Sequence, residues 1–229
     1  MPRYSGSSWR SFRPEAAAPA ARGANAGASA GPAASLAAVA LNCRVLGLDP
    51  GSLRTGFGVI DCGAGGERHV TNGCINAGSG EFPQRLRRIF DAVVVLIETH
   101  RPDEIAIERV FVHRNPDSAL KLGQARGAAI CAALALGASA HEYAPRAIKL
   151  AVSGYGAADK AQVAQMVTAL LGLPRRPSAD AADALAVALC HAQTRRLSAL
   201  AAAQLAPRVS ARTGPRRASR LGVRPVVRT

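Results

Sequence analysis

Four carboxylates in this sequence sit where a hydrophobic element begins or ends, not on an evidently polar surface. In RVLGLDPG, Asp49 directly follows an apolar run, and in EIAIER, Glu108 closes another. In PSADAADALAVALCHA, Asp180 and Asp183 are three residues apart, hence on one face of a helix that starts near Pro177. Val187 continues that face, which is expected to turn toward the body of the protein. The end of an apolar strand is a costly place for a lone carboxylate, and clustered carboxylates repel one another unless a cation lies between them. A pair of hard divalent ions meets that need, since Mg²⁺ favours carboxylates and water. Two such ions can activate a water on one side of a phosphodiester and stabilise the leaving oxygen on the other. The expected chemistry is metal-assisted phosphodiester hydrolysis. Taken singly, each acid has another use: Asp180 and Asp183 suit the first turns of a helix, Asp49 suits a Pro-Gly turn, and Glu108 can pair with Arg109 or Arg126.

Bringing the four together requires a particular set of elements. Residues 45–48, 55–61 and 69–77 read as strands joined by short Gly-bearing turns, the pattern of an antiparallel meander. In FPQRLRRIFDAVVVLIETHRP the apolar residues recur at helical spacing until Pro102. A short strand at 104–108, a helix from Pro116 to Gly137, a fifth strand at 141–144 and three helical segments complete the chain. Three antiparallel strands followed by strands alternating with helices define an α/β fold, a five-stranded mixed sheet flanked by helices. If the first and fourth strands lie parallel and end level, Asp49 and Glu108 share one edge of that sheet.

This folded part is expected to span residues 43–197. Residues 1–42 are rich in Ala, Gly, Ser and Pro, and residues 198–229 are Arg-bearing and free of acid, so both are expected to be disordered. The net charge of +14 is concentrated in these ends. Residues 195–229 hold nine Arg and no acid, whereas residues 44–194 hold 16 basic and 14 acidic side chains. Such a tail can hold phosphates by charge alone, or can simply be solvated. Cys43, Cys62, Cys74, Cys131 and Cys190 are scattered without paired zinc-site spacing and read as buried free thiols. No apolar run approaches the roughly 20 residues of a membrane span, and no secretory signal is evident, so no membrane partner and a cytoplasmic location are expected.

The segments LGLDPGSLRTGFGVI, IAIERVFVHRNPDSALKLGQARG and SADAADALAVALCHA, in this order and spacing, closely resemble the bacterial RuvC-type Holliday-junction resolvases over residues 44–192. The resemblance implies a ribonuclease H-like fold, a homodimer, and divalent-metal-dependent nicking of two strands of a four-way DNA junction. It assigns Asp49, Glu108, Asp180 and Asp183 as catalytic metal ligands, holding two Mg²⁺ for which Mn²⁺ can substitute. It further implies DNA contacts by Phe111, which would stack on an unpaired base, and by Lys149 and Lys160, with Arg114 and Lys121 as weaker candidates. It implies cooperation with the branch-migration proteins RuvA and RuvB. His113, His141 and His191 read as structural. Three alternatives stay open on the residues alone: an ATP-binding protein of the sugar-kinase and actin-like class, which would need a second domain; a nuclease acting on structured RNA; and a junction-binding protein without catalysis.

Overall fold

The structure, a computed structural model, describes residues 42–109 and 116–205. In chain order the elements are β1 (Cys43–Asp49), β2 (Arg54–Gly63), β3 (Gly66–Asn76), α1 (Phe82–His100), β4 (Glu104–Glu108), α2 (Pro116–Ala135), β5 (Ser139–Tyr143), α3 (Pro145–Ser153), α4 (Lys160–Leu170) and α5 (Ala179–Leu205). The sheet order is β3-β2-β1-β4-β5. β1 pairs antiparallel with β2 and parallel with β4, and β5 adds parallel to β4. The mixed sheet expected from the sequence is therefore present, with helices on both faces.

Alternation along the strands sorts the core into two layers. Leu46 and Leu48 of β1, with Ile105 and Ile107 of β4, pack with Ile89, Val93 and Leu96 of α1 and the alanines Ala125, Ala129 and Ala132 of α2. Val45 of β1 and Ala106 of β4 pack on the other face with Leu185, Val187, Ala188 and Leu189 of α5 and apolar residues of α3 and α4. Asp49, Glu104 and Glu108 share the parity of Val45 and Ala106, so all three belong to the face that α5 covers.

Glycines set how closely α5 approaches. A Cβ at Gly47 would lie 2.2 Å from the Ala184 carbonyl oxygen, and one at Gly56 would lie 1.9 Å from that of Asp180. The backbone of α5 thus rests directly on β1 and β2, and its first turn crosses the sheet beside the end of β1, where Gly56 is the register partner of Asp49.

Several boundaries differ from expectation, β3 starting three residues earlier, at Gly66, and β5 spanning Ser139–Tyr143 in place of 141–144. α2 ends at Ala135, because Gly137 turns the chain at φ 73°. α5 continues to Leu205, past the boundary expected at 197, since RRLSALAAAQL is made of good helix formers. Arg195 and Arg196, counted with the basic tail, pair instead with Glu104 and Glu67. All five cysteines are free; Cys43 and Cys190 are buried, Cys62 and Cys74 half-buried, and Cys131 is exposed. Among the described residues no helix is long and apolar enough to cross a membrane.

Candidate active site

The register that ends Leu48 against Ile107 brings Asp49 and Glu108 to the same edge of the sheet, one residue further along each strand. The loop after Asp49 is pinned by Thr55, which is fully buried: its Oγ1 donates to the Gly51 carbonyl at 3.1 Å and accepts from the Gly51 amide at 3.3 Å. Ala77 closes the loop from the other side by donating its amide to the Leu53 carbonyl at 2.9 Å. A short, tied-down loop holds Asp49 in place with little freedom to swing away.

The electrostatics of the edge show carboxylates that lack sufficient positive charge. Burial, the charge of Glu108, a hydrogen bond with Glu108 and the charge of Asp183 together push the Asp49 carboxyl up to about 8, against a smaller lowering by Lys160. Burial also raises Glu108, where Lys160 and Lys149 act in the opposite direction. Asp49, Glu108 and Asp183 thus share one field, and the first two carboxyls are hydrogen-bonded to each other. Asp183 itself is paired with Lys160, Nζ to Oδ2 2.6 Å. A partly buried donor set of carboxylates that retains a proton near neutrality fits a hard divalent cation, which would displace that proton and neutralise the cluster.

Asp180, although one turn from Asp183, has separate partners. Its Oδ2 accepts from Arg54 Nε at 2.8 Å and from the Cys74 thiol at 3.4 Å. The alternative pairing of Glu108 with Arg109 or Arg126 does not occur, because both arginines pair with Glu142 of β5. Of the expected DNA contacts, Lys149 and Lys160 lie within electrostatic range of Glu108. Lys121 forms an i,i+4 pair with Asp117 at 2.6 Å on α2. Phe111 and Arg114, like His113, fall outside the described residues.

The charge state of Asp49 yields a stability prediction for metal-free protein. Its folded value of about 8 lies above an unfolded value of about 4. Between these values the folded chain binds more protons, so stability falls as pH rises from about 4 to about 8 and then levels. Asp49→Asn removes that slope. By thermal unfolding in chelator, the variant should exceed the parent Tm by several degrees at pH 8 and match it closely at pH 5.

Sequence reading missed a second constellation on the same face of the sheet. Among the described residues, Glu104, His141 and His191 have metal-ligating atoms that all lie within 4.8 Å of one another. This group is at the opposite end of β4 from Glu108. His191 Nε2 is 2.5 Å from Glu104 Oε2 and its Nδ1 is 2.7 Å from the Tyr143 hydroxyl. Arg195 donates to the other oxygen of Glu104. Burial, followed by the charge of His141, lowers His191 to about 4, so the ring is neutral at physiological pH. The signal was legible in principle. Glu104 is two strand periods back from Glu108, and His191 is three helical turns on from Asp180.

A five-stranded mixed sheet flanked by helices, its acids gathered at one edge beneath a crossing helix, is the architecture of the ribonuclease H-like nucleases. The family model described as crossover junction endodeoxyribonuclease RuvC matches residues 45–191. Curated relatives include crossover junction endodeoxyribonuclease RuvC of Methylococcus capsulatus, 56% identical over 148 residues that make up 65% of this chain and 89% of the relative. That of Marinobacter nauticus is 57% identical over 65% of this chain and 85% of its own length. Among solved structures, Thermus thermophilus RuvC in complex with Holliday junction substrate is 36% identical with a TM-score of 0.64, covering 69% of this chain and 97% of that one. The yeast mitochondrial Holliday junction resolvase shares the fold, at 12% identity and a TM-score of 0.53 over 74% of this chain and 91% of its own. The chain belongs to the RuvC family of crossover junction endodeoxyribonucleases.

Proposed function

We propose that this protein is a Holliday-junction resolvase of the cytoplasm, acting in recombination and repair, whose nuclease unit spans residues 43–197 and nicks two symmetry-related strands of a four-way DNA junction. The observation that carries the reading is the half-buried pair of Asp49 and Glu108, level on adjacent parallel strands beside Asp183, with Lys149 and Lys160 in electrostatic range. Asp49, Glu108, Asp180 and Asp183 would hold divalent ions, Mg²⁺ foremost and Mn²⁺ in its place. When bound, these ions supply an activated water and charge for the leaving 3′ oxygen of a phosphodiester, leaving a 5′ phosphate and a 3′ hydroxyl that can be resealed.

The protein's own side chains do the positioning. Asp49 and Glu108 are fixed by adjacent strands, and a cation held between them would favour their ionised forms. Lys160 neutralises Asp183 and, with Lys149, offers positive charge where the phosphate backbone must approach. Arg54 occupies Asp180 from the solvent side, being well exposed itself. Phe111 and Arg114 complete the DNA surface, Phe111 by stacking on an unpaired base at the junction centre, with Lys121 a weaker phosphate contact.

Two strands must be cut symmetrically, and a two-fold homodimer meets that requirement. α2 supports such a dimer. Its exposed face carries Leu120 and Leu134, 63% and 59% exposed, and an open hollow of about 420 Å³ lined by Pro116, Ala119, Leu120, Gly123 and Gln124. The α2 face fits a second copy of the chain. RuvA and RuvB are the expected partners in delivering the junction.

Incubating the full chain with a labelled four-way junction, a matched linear duplex and a matched RNA hairpin tests the reading. Cleavage of the junction alone, present with Mg²⁺ and absent with EDTA, is expected. Equal cutting of the RNA hairpin would move the activity to structured RNA, and tight junction binding without any cut would leave a binding protein.

A further inference from the structure

We propose that Glu104, His141 and His191 form a second metal site, selective for a borderline transition ion such as Zn²⁺, at the end of the sheet opposite the four acids. Three elements supply one donor each: β4 gives Glu104, β5 gives His141 and α5 gives His191. The Nε2 atoms of both imidazoles face the same oxygen, Glu104 Oε2, at 2.5 Å for His191 and 3.6 Å for His141. The two rings lie 4.6 Å apart, centroid to centroid. Donor atoms on a tetrahedral zinc are roughly 3.3 Å apart, given bonds of about 2.0–2.2 Å. The His141 contact already has that spacing, and the His191 contact needs to open by less than about 1 Å.

The surroundings suit ligation. The Tyr143 hydroxyl at 2.7 Å from His191 Nδ1 can accept the ring proton there, which leaves the Nε2 lone pair directed at the shared point. With its ring proton on Nδ1, neutral His191 would bind through Nε2 with no net release of protons. Arg195 donates to the far oxygen of Glu104, Oε1, and so orients the carboxylate. Its positive charge opposes a cation and weakens the site. His191 is 2% exposed and His141 43%, so the site opens on one side, where an ion can enter and keep a water as its fourth ligand.

Two imidazoles and one carboxylate discriminate against Mg²⁺, which prefers oxygen donors. The two sites therefore take different ions. This second ion would tie the start of β4 to the middle of β5 and the middle of α5. Glu108 lies at the far end of β4, and Asp180 and Asp183 lie in the first turns of α5, so the expected effect is on stability and not on the chemical step.

The test uses the full chain, stripped with chelator and desalted, and titrated with Co²⁺ as a spectroscopic probe and then with Zn²⁺. The parent should develop the strong visible bands of four-coordinate cobalt, lose them as Zn²⁺ is added, and gain Tm with Zn²⁺. His141→Phe keeps a ring against His191 but removes a donor. It should lose both the bands and the Zn²⁺-dependent Tm gain while retaining Mg²⁺-dependent junction cleavage. His141→Ala provides the same comparison at a half-exposed position if the larger ring disturbs packing. Absence of bands and of a Tm gain in the parent, or their persistence in both His141 variants, would overturn the proposal. Persistence would assign the ion to thiols or to the four acids.

Discussion

Asp49→Asn and Glu108→Gln are each expected to lower the rate of junction cleavage by about a thousandfold or more, roughly 4 kcal/mol of barrier. Junction affinity should be unchanged or higher. Each substitution replaces an ionised oxygen donor by a neutral amide of the same shape, so packing is preserved while the cluster loses a ligand for its cations. Binding moves the other way because the edge that meets the phosphates becomes less negative. Single-turnover cleavage and a binding titration on the same junction separate the two effects. A variant that lost binding in step with cleavage would place these carboxylates in DNA recognition or folding instead. Below about pH 8 the metal-free edge retains a proton on Asp49. Metal binding should therefore release protons, and apparent Mg²⁺ affinity should rise with pH until about 8.

Gly47→Ala carries the second large effect, through packing. The added methyl would lie 2.2 Å from the Ala184 carbonyl oxygen and 2.8 Å from the Ala188 amide nitrogen, both in the backbone of α5. Neither atom can rotate away, so the helix must lift from β1. Overpacking of this kind costs about 3 kcal/mol, or roughly 6–12 °C in Tm for a domain of this size. Because α5 also carries Asp180 and Asp183, cleavage should fall even at temperatures where the variant stays folded. Gly65→Ala, whose Cβ would meet nothing within 4 Å, is the control and should leave Tm unchanged. A Gly47→Ala variant as stable as the control would mean that α5 is not seated where the register of β1 and β2 puts it.

Much of this arrangement was legible in the chain. Two apolar runs that each end in an acid announced Asp49 and Glu108, because strand parity and a parallel pairing suffice to bring such ends level. The three-residue spacing of Asp180 and Asp183 placed both on α5 and turned Val187 toward the sheet, where it is fully buried. The separate fate of Asp180 was not legible. It depends on the long side chain of Arg54 and on Cys74 reaching it from β3, and such contacts follow from antiparallel register and not from local pattern.

The Glu104, His141 and His191 group was missed for a related reason. Each residue looks ordinary on its own element, and His141 and His191 read as structural histidines. They become a constellation once β5 aligns His141 beside Ala106 and α5 runs three turns past its acidic end. The end of α5 was misplaced because an Ala- and Arg-rich sequence has the composition of a tail. The same residues are strong helix formers when Arg195 and Arg196 find Glu104 and Glu67.

The most direct measurement is to label each strand of a branch-migratable four-way junction in turn and map the Mg²⁺-dependent nicks at nucleotide resolution, with ligase added afterwards. Nicks are expected in two opposite strands at symmetry-related positions, resealed by ligase, and absent with EDTA or in Asp49→Asn. Nicks in one strand only, cuts that ligase cannot close, or the same cuts in EDTA would contradict it.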